Sequence, residues 1–135
     1  MRRPAVISAI VLGTIFFLGT SIMLARGFSA TSAERGKVLD VLEAQAAGDT
    51  ERVLELLPEC AAVPACVTTV RTRAPRLRRP GEVEILQYQP SVQLAITDEE
   101  GPARVAWRAG KSAPIVQCVQ VRRTGALNGA RVALI

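Results

Sequence analysis

Three cysteines, one tyrosine, one tryptophan and a cluster of arginines are the residues of this 135-residue chain whose types and spacing could do chemistry. Cys60 and Cys66 have five residues between them, with Pro58 and Pro64 close by, and Cys118 follows far downstream. A local Cys60–Cys66 disulfide suits an oxidising compartment and leaves Cys118 as a free thiol, or as a partner for either of them or for another chain. The competing reading is three reduced, buried thiols. The chain has no histidine. The commonest general base, the commonest neutral metal ligand and any Ser-His or Cys-His nucleophile pair are therefore missing. A zinc site would have to combine cysteines and carboxylates at spacings that match no known motif. The sequence thus offers no catalytic residue, no cofactor-binding residue and no metal ligand set, and enzyme activity is not expected. Arg71, Arg73, Arg76, Arg78 and Arg79 place five guanidinium groups within nine residues. Such groups grip phosphate bidentately, so the run is a candidate contact for lipid head groups or anionic envelope polymers; the plainer reading is a solvated loop.

The element that decides where these residues work is the N-terminal run Ala5 to Leu24, which carries no charge and is flanked by Arg2, Arg3 and Arg26. About 20 helical residues rise roughly 30 Å, the thickness of a bilayer's hydrocarbon core. Residues 1–26 are therefore expected to be a short N-terminus and a transmembrane helix, the protein being held in the cell membrane by a single span. The alternative is a cleaved signal peptide, but its apolar region is typically shorter, and Leu24-Ala25-Arg26-Gly27 offers no clean cleavage site. Basic residues are nearly balanced across the run, so the cysteines tip the topology toward a cytoplasmic N-terminus and an extracytoplasmic C-terminal domain.

Beyond Arg26, 109 residues remain, enough for one domain with a core and too few for two. Of the net charge of +5, much belongs to the anchor flanks; without Arg2, Arg3 and Arg26 the chain has 14 basic and 12 acidic residues. That near-balance argues against a nucleic-acid binder. Residues 27–32 are expected to form a linker, and Thr31 to Glu34 (TSAE) has the form of a capping box that opens a helix running to about Ala47. Val38, Leu42 and Gln45/Ala46 share a face with Leu39, at spacings of three and four. Gly48 ends that helix and Asp49 caps a second over 50–57, which Pro58 stops. Ala65 to Thr72 forms a short third helix, and the prolines and arginines up to Pro80 favour irregular structure.

From Gly81 the apolar period changes to two. Strands are expected over 82–88, 91–97, 103–108, 115–122 and 130–135, with a strong turn at Asp98 to Pro102 and others at 109–112 and 124–129. Short turns between strands imply an antiparallel meander, whose apolar face the helices cover. The fold class is α+β: a transmembrane helix, then two or three helices packed on a curved antiparallel sheet of four to five strands.

The helix-Gly-Asp-helix segment Ala44 to Leu57 (AQAAGDTERVLELL), and the closing Val119 to Leu134 (VQVRRTGALNGARVAL), resemble the opening and the final hairpin of the nuclear transport factor 2-like (cystatin-like) superfamily. The resemblance covers residues 33–135. It implies a cone-shaped pocket between helices and sheet, which Val38, Leu42, Tyr88, Leu94 and Trp107 would line. The superfamily contains ketosteroid isomerase-like enzymes and polyketide cyclases, with an Asp or His base, and also non-catalytic interaction modules. Here no catalytic residue can be carried over, because His is absent, Asp49 is a helix cap, Asp98 lies in an expected turn and Asp40 is on a helix. Anchored members resembling this chain include the inner-membrane scaffold proteins of type IV secretion systems and small anchored proteins of actinobacterial lipid-import systems. The expected partners are the membrane, other envelope proteins or a second copy of the chain, with anionic lipid as a further contact. The alternative expectation is a binder of small apolar ligands, such as a lipid or polyketide.

Overall fold

The structure, a computed structural model, describes residues 3–90, 99–124 and 131–134. Its first helix, α1, runs unbroken from Arg3 to Ala47. Pro4 sits in the first turn, where a missing N–H costs nothing, and no proline follows before Pro58. Over Val6–Ala25 the helix is long and apolar enough to cross a membrane, and none of that stretch is buried. Thr14 and Thr20 donate to the carbonyl oxygens of Ile10 and Phe16, so their hydroxyls are satisfied within the helix. The linker expected over 27–32 is not a break, and the capping box at Thr31 does not start a helix: both lie inside α1. The stretch (GFSATS) contains no proline, and its lone glycine costs only about 1 kcal/mol, too little to interrupt a helix held by packing further along.

That packing begins at Glu34. Val38, Val41, Leu42 and Ala46 form the buried stripe of α1, as the spacing predicts for Val38, Leu42 and Ala46. Gly48 then takes φ +73°, and Asp49 caps α2 (Thr50–Leu56) by accepting from the Arg52 amide at 3.0 Å. A four-residue α3 (Pro58–Ala61) leads into α4 (Pro64–Leu77). Here the expectation fails: this helix has 14 residues where 65–72 was expected, and Arg71, Arg73 and Arg76 lie in its last turns, with Arg78 and Arg79 just beyond, rather than in a loop. Pro64 starts the helix without needing its N–H, arginine is a good helix former, and Pro75 sits within the last turn, where it removes one bond without stopping the helix.

Three long strands, β1 (Val83–Gln89), β2 (Glu99–Ala109) and β3 (Ile115–Thr124), make an open antiparallel sheet, and a short β4 (Arg131–Leu134) pairs with β3 at its edge. The strand expected at 91–97 and the turn at 124–129 fall largely outside the described residues. Glu99 to Pro102, expected as turn, are strand: Pro102 pairs with Gln120 of β3. Proline is tolerated there because β1 stops at Gln89, opposite Arg104, and none of the described strands flanks Pro102 on that side. Odd-numbered residues of β2 and β3 face α1. Ala103, Val105, Trp107, Ala109 and Val121 form one core with the α1 stripe, and Val83, Ile85, Tyr88, Ile115 and Val119 pack around it.

Candidate functional site

The polar residues of the interior meet at one end of this core. Glu34 on α1 is fully buried, and Arg123, at the end of β3, is 3% exposed. The Arg123 Nε donates to Glu34 Oε2 at 2.7 Å, and Arg123 Nη2 lies against the same oxygen without the alignment of a hydrogen bond. The Tyr88 hydroxyl, at the far end of β1, donates to Glu34 Oε1. One carboxylate thus ties α1 to two strands, with a charged partner on one oxygen and a phenol on the other.

Tyr88 reaches this point only through a β-bulge. Ile85 pairs with Trp107 and Gln87 with Ala106, so the register slips by one between them. Leu86 and Gln87 are both left on the solvent side, and Tyr88 turns inward with Val83 and Ile85. Without the slip the simple alternation would set Tyr88 on the outer face with Glu84. Burial first, and then the bond to the Glu34 carboxylate, push the Tyr88 phenol well above its usual range. A phenol held protonated and a carboxylate engaged on both oxygens are poor candidates for moving protons. Their arrangement is that of a tie rod.

The residues expected to line a pocket are placed differently from a cavity wall. Val38, Leu42 and Trp107 are fully buried in the same core cluster, with Tyr88 packed against it. Leu94 lies outside the described residues. The Trp107 Nε1 is buried and has no hydrogen-bond partner among the described residues. The recessed surface lies elsewhere. A cleft of about 890 Å³ is formed by the last turns of α1 (Glu43, Ala46, Ala47), the end of α4 (Pro75, Arg78, Arg79) and the approach to β1 (Pro80 to Val83). The Arg79 amide donates to the Ala46 carbonyl at 2.9 Å, and the Gly110 amide to the Glu82 carbonyl at 2.9 Å, so both walls are fastened. Gly81 adopts φ +110°, and a Cβ there would meet the Gly110 Cα at 2.7 Å; only glycine permits this close approach.

Of the five arginines of 71–79, Arg78 and Arg79 line this cleft. Arg71 pairs weakly with Glu51 at 3.6 Å, and Arg79 donates to the carbonyls of Arg76 and Arg78. Arg73, Arg76 and Arg78 are exposed and make no ion pair among the described residues. Cys60 and Cys66 are joined by a disulfide that fastens α3 to α4, their Cα atoms 5.3 Å apart. Cys118 is a free, exposed thiol on the outer face of β3. Among the described residues no group of His, Cys, Asp and Glu side chains could hold a metal ion.

Sequence reasoning missed Glu34 and Arg123 as partners, although a signal for each exists. Glu34 stands four residues before Val38 on the apolar stripe of α1, and Arg123 continues the inward alternation 119, 121, 123 of β3. Opposite charges on two apolar stripes call for each other. No protein-family model, curated protein or solved structure matches this chain.

Proposed function

We propose that the chain is a single-pass, non-catalytic membrane protein of the bacterial envelope whose domain lies outside the cytoplasm and binds other envelope proteins. The observation that carries this reading is α1: one helix whose stretch Val6–Ala25 is apolar with none of it buried, and whose second half packs into the domain's core. Apolar side chains such as Ile7, Leu12, Phe16 and Met23 have no protein cover, and a bilayer supplies what the protein does not. The Cys60–Cys66 disulfide supports an oxidising compartment for the domain. A nuclear transport factor 2-like domain, with a sheet of four to five strands, belongs to the same reading; its support is the order of helix, Gly48-Asp49, helix and antiparallel meander.

The full burial of Val38, Leu42 and Trp107 in one core, and the engagement of both Glu34 carboxylate oxygens by Tyr88 and Arg123, weigh against the alternative of an apolar-ligand binder or a ketosteroid isomerase-like enzyme. The expected contact of the arginine run with the protein's own membrane is also disfavoured. Arg79 is bonded to Ala46, which lies 21 residues beyond Ala25 along α1, or roughly 30 Å at 1.5 Å per residue. The test is the native mass of the protein after gentle detergent extraction from its own cells, with crosslinking. Co-purifying envelope proteins are expected. A lone monomer with no crosslinked partner would refute the proposal, and a lone protein carrying a lipid would favour the pocket.

A further inference from the structure

The end of α4 combines two features that an ordinary solvated helix does not. Its exposed Arg73 and Arg76, together with Arg78 just beyond, present three guanidinium groups that make no ion pair among the described residues. Of the three, Arg78 also lines the cleft, together with Pro75 and Arg79, and that lining is mixed. Ala46, Ala47, Pro75, Pro80 and Val83 are apolar, while Glu43 and Glu82 are acidic. The stem of Arg78 reaches back over the α1–α2 turn: a Cβ built on Gly48 would lie 3.2 Å from its Cδ. Its aliphatic part therefore belongs to the cleft wall, and its charge to the arginine patch.

We infer that this surface docks a segment of another protein that carries acidic residues for Arg73, Arg76 and Arg78 and an apolar side chain for the cleft. The inference rests on the reading of the domain as a binder of envelope proteins and assigns the surface it would use. A uniform polyanion fits less well, because Glu43 and Glu82 would repel it and the apolar lining would stay wet. A peptide segment can place opposite chemistry at each point. The surface stands away from the anchor along α1, which suits contact with a partner in the envelope rather than with the bilayer.

The test uses the full chain in zwitterionic lipid nanodiscs and a short fluorescent peptide of Glu and Leu residues, titrated by anisotropy. The triple variant Arg73→Gln, Arg76→Gln, Arg78→Gln is expected to weaken binding by about tenfold or more, since charge pairs at a rim act together on encounter and retention. Ala47→Trp, which fills the cleft, should weaken the Glu/Leu peptide but not inorganic polyphosphate. Far-ultraviolet circular dichroism of each variant confirms folding, as all four side chains are exposed. Unchanged peptide binding in the triple variant overturns the inference. So does polyphosphate binding more tightly than the peptide, which would assign the patch to an anionic polymer. In cells, partners crosslinked equally to wild type and triple variant would leave the function proposed above standing and remove this surface from it. No partner with either would refute that function, while the peptide titration decides the surface by itself.

Discussion

At the scale of single residues, the Glu34–Arg123 pair is the most consequential contact of the domain. Removing one member of a buried ion pair strands the other charge, which typically costs about 3–5 kcal/mol, whereas replacing both by apolar groups is often near neutral. Glu34→Leu and Arg123→Leu should each destabilise by that amount, and the double variant by much less than their sum. Trp107, the only tryptophan and fully buried in the adjoining core, reports unfolding in urea by its fluorescence. Additive losses would show that the pair is not coupled. Tyr88 gives a pH signature. Its phenol is raised in the folded state above the ordinary value of 10.0. Below about pH 10 it is protonated in both states and its contribution is complete; above that the unfolded chain ionises first, so stability falls as pH rises. Wild type should therefore lose more thermal stability between about pH 9 and about pH 11 than Tyr88→Phe does. Equal slopes would place the phenol in an ordinary environment. Of these three residues the sequence places only Tyr88 inward, and only through a resemblance, because the bulge that turns it is not encoded in the alternation of EVEILQY; Glu34 and Arg123 were missed although each stands on an apolar stripe where a charge demands a partner.

At the scale of elements, local chemistry was legible where a single residue type decides it. Asp49 caps α2, Gly48 ends the helix before it, and Pro58 stands at the start of α3. It was not legible where tertiary packing overrides a weak local signal. Thr31 and Glu34 make a capping box on paper, yet the helix passes straight through, because Glu34 has a better use in the core. The helix α4 likewise extends through Pro75 into the arginine run because α1 and α2 give it something to pack on; Ala74, one residue before the proline, is buried. The disulfide holds this helix at its start. Cys60→Ser with Cys66→Ser should cost about 2 kcal/mol, the lower end for a short closed loop. A matching fall in melting temperature with reductant is expected for wild type, and none for the double variant. A variant as stable as wild type would mean that α3 and α4 hold together without the link.

At the scale of the whole molecule, an exposed thiol becomes a reporter of sidedness. Cys118 lies on the outer face of the sheet, free and solvent-exposed. If the domain is extracytoplasmic, a membrane-impermeant maleimide should label it in intact cells, and Cys118→Ser should abolish the signal. Labelling only after lysis would place the domain inside. The unbroken helix Arg3–Ala47 has a further consequence, one of rotational phase. With no joint between the apolar stretch Val6–Ala25 and the core, each alanine inserted within residues 27–30 turns the domain by about 100° about the helix axis and lifts it by about 1.5 Å relative to that stretch. One or two inserted residues should therefore swing a partner-facing surface away from its partner. Seven, nearly two full turns, should bring it almost back to its original azimuth, about 10 Å higher. Crosslinking yield in cells should then follow the helical period rather than the length of the insert. A yield that falls steadily with length would mean that the helix bends between its apolar stretch and the core and carries no phase.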